Sequence, residues 1–249
     1  MVYDPDPQVA TDPARHGFEY EAVTLTAEDG TRLAAWFVAA PRRRGAVIYS
    51  HGNGGNVGTR IPMIQALTGL GLDVLVYDYP GYGESEGKPS EVGTYQAARA
   101  AWDWATRERG VPPKEIVVWG RSLGGAVASW LVAEPDVVPG AVVLESTYSS
   151  LVDVAEHLHP KLPVRRFLRY RYPSIERIPK LRAPLLYAHS PDDEIVPFEL
   201  GRRLYDAAPE PKRLVKMHGQ HVPTRLTADE YRDEVDAFLE QALGPMPTP

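Results

Sequence analysis

The chain contains no cysteine, which excludes disulfides, thiolate metal sites and a cysteine nucleophile together. It also lacks a positive balance. The formal net charge is -6, so the overall basic field that nucleic-acid binding needs is missing and no nucleic-acid partner is expected. No run of about 18 apolar residues occurs, and residues 1–15 are polar and proline-containing rather than a charged stretch followed by an apolar one. They read as an N-terminal extension of a soluble chain. The expected setting is the cytoplasm, with export open if a leader preceded Met1. Internal repeats and low-complexity segments are absent, and the final Gly-Pro-Met-Pro-Thr-Pro reads as a frayed tail.

What remains suffices for one large core: 249 residues, of which 43% are hydrophobic, suit a single α/β domain over 1–249. Residues 18–26 and 32–38 read as an antiparallel hairpin at a sheet edge, because Asp29-Gly30 between them is a tight-turn signal. Short apolar runs rich in β-branched residues follow at 45–50, 72–77, 115–119, 141–145, 184–189 and 213–217. Such unbroken runs suit strands buried on both faces. Apolar residues at helical spacing fill 57–69, 90–108, 123–134, 198–207 and 227–243. The alternation predicts an α/β fold with a mostly parallel eight-stranded sheet flanked by helices. A ligand site is then expected beyond the carboxyl ends of the strands. Residues 147–183, proline-containing and longer than a crossover needs, read as a small cap.

Gly120-Arg121-Ser122-Leu123-Gly124 follows a predicted strand and opens a predicted helix, the context of a nucleophile elbow. A serine on so sharp a turn needs small residues two positions away on each side. The plainer reading of Ser122 is a helix N-cap. A serine hydroxyl is a weak nucleophile, so it needs an imidazole to take its proton and a carboxylate to fix the imidazole tautomer. Asp193 and His221 each follow a later predicted strand, in the order Ser, Asp, His. Asp192 and Glu145 compete with Asp193, and His218 competes with His221. The loop His51-Gly52-Asn53-Gly54-Gly55-Asn56 also follows a strand, and its glycines let backbone amides approach an oxygen. The N–H groups of Asn53 and Leu123 are therefore the expected oxyanion donors. His51 reads as a structural residue shaping this loop. A phosphate cradle is the weaker reading, for the loop lacks the Gly-Lys-Ser/Thr ending of a P-loop.

HGNGGN at 51–56, YDYPGYGESEG at 77–87, GRSLGG at 120–125, LEST at 144–147, DEIVP at 193–197 and Gly219-Gln220-His221 together carry a family resemblance. From about residue 18 to 243 the chain resembles the α/β-hydrolase superfamily. Within it, the chain is similar to the bacterial esterase-like branch related to eukaryotic α/β-hydrolase-domain acyl-protein thioesterases. The resemblance implies Asp193 as triad acid and His221 as base, although Val222-Pro223 follows the histidine where that branch usually has a polar pair. It disfavours haloalkane dehalogenase and epoxide hydrolase chemistry, since those branches carry aspartate at the elbow. The expected activity is hydrolysis of small-molecule esters or thioesters through an acyl-enzyme; a peptidase, a carbon–carbon bond hydrolase and a non-catalytic binding module are the alternatives. No cofactor is expected. No metal is expected either, because the spacing of His157 and His159 is poor for two ligands on one helix face.

Segment 161–182 holds eight basic residues against Glu176 alone, a local charge of +7 that leaves -13 for the remainder. Phe167, Leu168, Tyr170 and Tyr172 are interleaved with these charges. The segment is read as a basic, partly apolar surface near the site, for anionic substrates or an anionic lipid surface; the plainer reading is a solvated, ion-paired face.

Overall fold

Unbroken apolar runs demand cover on both sides of a strand, and the computed structural model, which describes residues 2–221 and 229–247, supplies it. The strands are β1 Asp4–Pro5, β2 Glu21–Thr26, β3 Arg32–Val38, β4 Gly45–Ser50, β5 Gly54–Gly55, β6 Leu72–Tyr77, β7 Ile116–Arg121, β8 Ala141–Glu145, β9 Leu185–His189 and β10 Lys212–Lys216. The helices are α1 Ile61–Gly69, α2 Glu91–Asp103, α3 Leu123–Leu131, α4 Leu151–Leu158, α5 Ser174–Arg177, α6 Phe198–Ala207 and α7 Asp229–Leu243. Eight strands make one sheet in the order β10-β9-β8-β7-β4-β6-β3-β2. From β6 to β10 all neighbours are parallel. Only β3 runs the other way, paired antiparallel with both β2 and β6. The predicted hairpin at the edge is present, with Gly30 at φ 87° in its turn.

Successive side chains of a strand point to opposite faces, and both faces are packed. In β4, Ile48 joins a core with Ala97 and Ala101 of α2 and Val127 of α3. Val47 and Tyr49 join the other, with Ile64 of α1 and Phe238 of α7. The chain leaves β4 for β6 on one side and later places β7 on the other. The strand order therefore reverses at β4 and β7, the point beyond whose carboxyl ends sheets of this kind place their ligand sites.

Some boundaries differ from the sequence reading. β7 runs two residues past Trp119, because Gly120 and Arg121 still pair with Leu144 and Glu145 of β8. The helical stretch 90–108 is α-helical only to Asp103 and closes in a π turn over 104–108, where the Arg109 N–H donates to the Trp104 carbonyl at 2.8 Å. Helix α3 stops at Leu131, short of 134. Segment 147–183 contains α4, α5 and two short 3-10 turns. The start of the helix read at 227–243, the Val222-Pro223 pair and the last two residues of the tail lie outside the described residues.

Residues 1–15 gave no sequence signal of structure, yet β1 pairs in parallel with β5. The Tyr3 hydroxyl meets the Tyr172 hydroxyl at 2.8 Å, and the Asn56 amide donates to the carbonyls of Asp6 and Gln8 at 3.0 and 2.9 Å. Among the described residues no helix is long and apolar enough to cross a membrane.

Candidate active site

The turn from β7 into α3 is tight because backbones touch there. A Cβ on Gly120 would lie 2.2 Å from the Gly124 carbonyl oxygen, and one on Gly124 would lie 1.9 Å from the Ser50 carbonyl oxygen at the end of β4. Between them Ser122 sits at φ 51°, ψ -117°, a left-handed conformation that costs a non-glycine residue about 1–3 kcal/mol. Its surroundings hold it there. The Ser122 N–H donates to the Glu145 carbonyl at 2.9 Å, and the Ser122 carbonyl accepts from the Gly125 N–H at 3.0 Å and the Thr147 hydroxyl at 2.8 Å. The Ser122 side chain makes no capping bond to α3, so the N-cap reading does not describe it.

Two loops from the strands on one side of β7 complete the arrangement. The Met217 N–H donates to the His189 carbonyl at 2.9 Å, which brings the chain beyond β10 alongside the turn beyond β9. His221 Nε2 then lies 3.0 Å from Ser122 Oγ, and His221 Nδ1 lies 2.7 Å from Asp193 Oδ2. With Nδ1 donating to the carboxylate, Nε2 is left as the acceptor for the serine proton. Asp193 Oδ1 accepts from the N–H groups of Ile195 and Val196 at 3.0 and 2.7 Å. Burial alone would raise the Asp193 pKa; the hydrogen bonds from His189, His221 and the Val196 N–H outweigh it and hold the carboxyl well below the usual range.

The competing residues are placed elsewhere. His218 and Asp192 are exposed. Glu145 is buried with its Oε1 accepting from the Tyr231 hydroxyl at 2.5 Å; burial raises its pKa, tempered by the nearby Arg121 and by the hydrogen bond from Tyr231. His51 is fully buried, its ring tilted against that of Tyr79 at a centroid distance of 4.4 Å, and donates from Nδ1 to the Gly52 carbonyl at 2.7 Å. Burial lowers its pKa, and Arg60 adds to that shift.

The 51–56 loop runs beside Ser122: a Cβ on Gly52 would make ordinary contact with Ser122 Cβ, at 3.7 Å. Its course is fixed from outside. Tyr79 donates to the His51 carbonyl at 2.7 Å, Tyr82 donates to Asn53 Oδ1 at 3.0 Å, and Asp78 Oδ1 accepts from the Val57 N–H at 2.9 Å. Leu123 is the first residue of α3, so its N–H has no acceptor within the helix and lies at the end whose dipole favours negative charge. Among the described residues no group of His, Asp and Glu could hold a metal, and His157 and His159 are exposed.

Three residues at this site were not singled out from the sequence. The Arg121 guanidinium donates to the carbonyl of His221 at 2.5 Å, and Glu194 Oε2 accepts from the His221 N–H at 3.0 Å, so the backbone on both sides of the imidazole is gripped. His189 lies behind Asp193. Its Nε2 faces two acceptors, Asp193 Oδ2 at 3.2 Å and the Val196 carbonyl at 3.0 Å, so that nitrogen carries the hydrogen. Room for the ring comes from Gly201 of α6, where a Cβ would lie 2.1 Å from His189 Nδ1. Position gave the only available signal: Arg121 lies inside the elbow motif, Glu194 beside Asp193, and His189 at the end of a predicted strand.

Comparison with known proteins agrees with this architecture. The family described as alpha/beta hydrolase fold matches residues 45–177. An uncharacterized protein of Mycobacterium tuberculosis is 41% identical over 225 residues, covering 88% of this chain and 79% of its own. The lysophosphatidylserine lipase ABHD12 of Danio rerio is 35% identical over 196 residues, covering 71% of this chain and 50% of its own. Among solved structures, the Pyrococcus furiosus esterase Pf2001 superposes with a TM-score of 0.80 at 24% identity, over 97% of this chain and 100% of that one.

Proposed function

The chain belongs to the α/β-hydrolase fold family, and from that premise we propose that it is a serine hydrolase of carboxylic esters or thioesters acting through an acyl-enzyme. The observation that carries the proposal is the continuous hydrogen-bonded line from Ser122 through His221 to Asp193, at 3.0 and 2.7 Å. A lipase of Danio rerio among the sequence relatives and an esterase of Pyrococcus furiosus among the structural ones support it.

In this reading Ser122 Oγ attacks the acyl carbon as its proton passes to His221 Nε2. The charge on the former carbonyl oxygen is held by the N–H groups of Leu123 and Asn53, at the start of α3 and in the loop after β4. Collapse of the adduct breaks the bond to the alcohol or thiol, which leaves with the proton from His221. Water then attacks the acyl-serine with His221 as base, releasing the acid and restoring Ser122. Asp193 stays ionised throughout and fixes the imidazole. Segment 147–183, which follows β8 next to the elbow, serves as a small cap, and the steps above need no metal or cofactor.

The test is hydrolysis of p-nitrophenyl esters from acetyl to palmitoyl by the parent and the Ser122→Ala protein, together with fluorophosphonate labelling. A loss of about a thousandfold or more in Ser122→Ala, with labelling of the parent alone, is expected. Unchanged turnover in Ser122→Ala would remove the assignment, and an unlabelled, inactive parent would leave the non-catalytic module.

A further inference from the structure

Of the five exposed large hydrophobic side chains among the described residues, Leu158, Leu162 and Phe167 fall within ten positions, at 47%, 60% and 78% exposure. They lie where α4 ends and a 3-10 turn over Val164–Arg166 follows. The stretch is held by its own turns: the N–H groups of Leu162, Val164, Arg166 and Phe167 donate to the carbonyls of His159, Leu162, Pro163 and Val164 at 2.8–3.0 Å. These apolar side chains are thus presented to solvent by ordered backbone.

The neighbouring cations divide into two groups. Arg165 pairs with Glu156 at 2.8 Å, Arg177 packs over the Tyr95 ring at 4.9 Å, and Arg182 donates to the Glu134 carbonyl at 2.6 Å. Lys161, Arg166 and Arg169 are exposed, and no described carboxylate pairs with them. Arg169 lies 5.6 Å from the Tyr170 ring. Unpaired cations and unburied apolar groups therefore alternate over 158–169.

We propose that the 158–169 tip docks on an anionic lipid surface, with Leu158, Leu162 and Phe167 entering the headgroup boundary and Lys161, Arg166 and Arg169 meeting lipid phosphates and carboxylates. Charge selects the orientation. Segment 161–182 carries +7 and the rest of the chain -13, so an anionic surface attracts this tip and repels the remainder. Long basic side chains can lay their stems along apolar surface while their heads stay wet, which suits an interface better than a dry protein contact. Docking itself is independent of catalysis. Its consequence, that Ser122 receives acyl esters from a lipid surface, rests on the hydrolase reading.

The test is co-sedimentation of full-length Ser122→Ala protein with vesicles of phosphatidylcholine alone or with one third phosphatidylserine, so that binding is read without turnover. Binding to the mixed vesicles is expected to exceed that to the neutral ones at least tenfold and to fall as salt screens the charges. The combined Lys161→Gln, Arg166→Gln and Arg169→Gln protein should bind about a hundredfold more weakly, at roughly fivefold per charge. Leu162→Ser with Phe167→Ser should cost about tenfold separately. All five side chains are exposed, so both variants should melt with the parent. Absence of binding to mixed vesicles, or binding that neither variant weakens, overturns the proposal. A loss with the charge variant alone makes the tip a general cation surface and overturns it too, whatever the esterase assay shows.

Discussion

Replacing Gly124 by alanine drives apart the two segments on which the proposed oxyanion donors ride. The new Cβ would start 1.9 Å from the Ser50 carbonyl oxygen, 2.5 Å from its carbon and 2.6 Å from the His51 carbonyl oxygen. All three neighbours are backbone, so no side chain can swing away. Reaching even 3.0 Å requires the start of α3 and the end of β4 to part by about 1.1 Å. Leu123 moves with one segment and Asn53 with the other. Misplacement of about 1 Å in a catalytic constellation costs on the order of a hundredfold, and overpacking of this kind costs about 1–3 kcal/mol. Gly124→Ala is therefore expected to lower kcat/KM about a hundredfold and to lower Tm by about 5 °C. Gly52→Ala is the control. Its Cβ would meet the Arg121 carbonyl oxygen and Ser122 Cβ at 3.7 Å, an ordinary contact, so this protein should melt with the parent. Both would be assayed by p-nitrophenyl ester hydrolysis well below their own melting temperatures. A folded Gly124→Ala protein with kcat/KM within about threefold of the parent would refute the steric reasoning.

Asp193, held well below the usual carboxylate range, stays ionised in the folded chain at acidities where the unfolded chain has already taken up the proton. That preference stabilises the fold in full above the unfolded value of about 3.9 and is lost as pH falls through the lower folded value. The Tm gap between the parent and Asp193→Asn should thus be level near neutrality and narrow in strong acid; a gap that widens on acidification contradicts the sign. Tyr231→Phe removes the hydroxyl that donates to buried Glu145 and should lower Tm by about 5 °C, from the roughly 1–3 kcal/mol cost of an unsatisfied buried group. An unchanged melting curve would mean that Glu145 finds another donor.

The parallel sheet was legible because its strands are buried on both faces. A run such as Ile116-Val117-Val118-Trp119 can hardly be anything but a central strand when helical spacing lies on either side. Ser122 was legible for a related reason, as the small residues flanking it reflect backbone contacts that no side chain can enter. The hold on His221 was not. Arg121 and Glu194 act through hydrogen bonds across 100 and 27 positions, and no local periodicity encodes a partner that only the sheet order brings close; His189 reaches Asp193 across four positions of an irregular loop, which has no periodicity to read. The π turn at 104–108 was hidden likewise, since its apolar spacing is that of the helix it ends.

Residues 3–8 show the same nonlocality in time as well as space. Tyr3 meets a hydroxyl 169 positions away, and Asp6 and Gln8 accept from Asn56 some fifty positions on. A ribosome delivers these residues before any of their partners exists. The stretch that braces the Gly54–Asn56 loop must wait, unpaired, while most of the sheet is still to be made, and its last anchor arrives only with Tyr172.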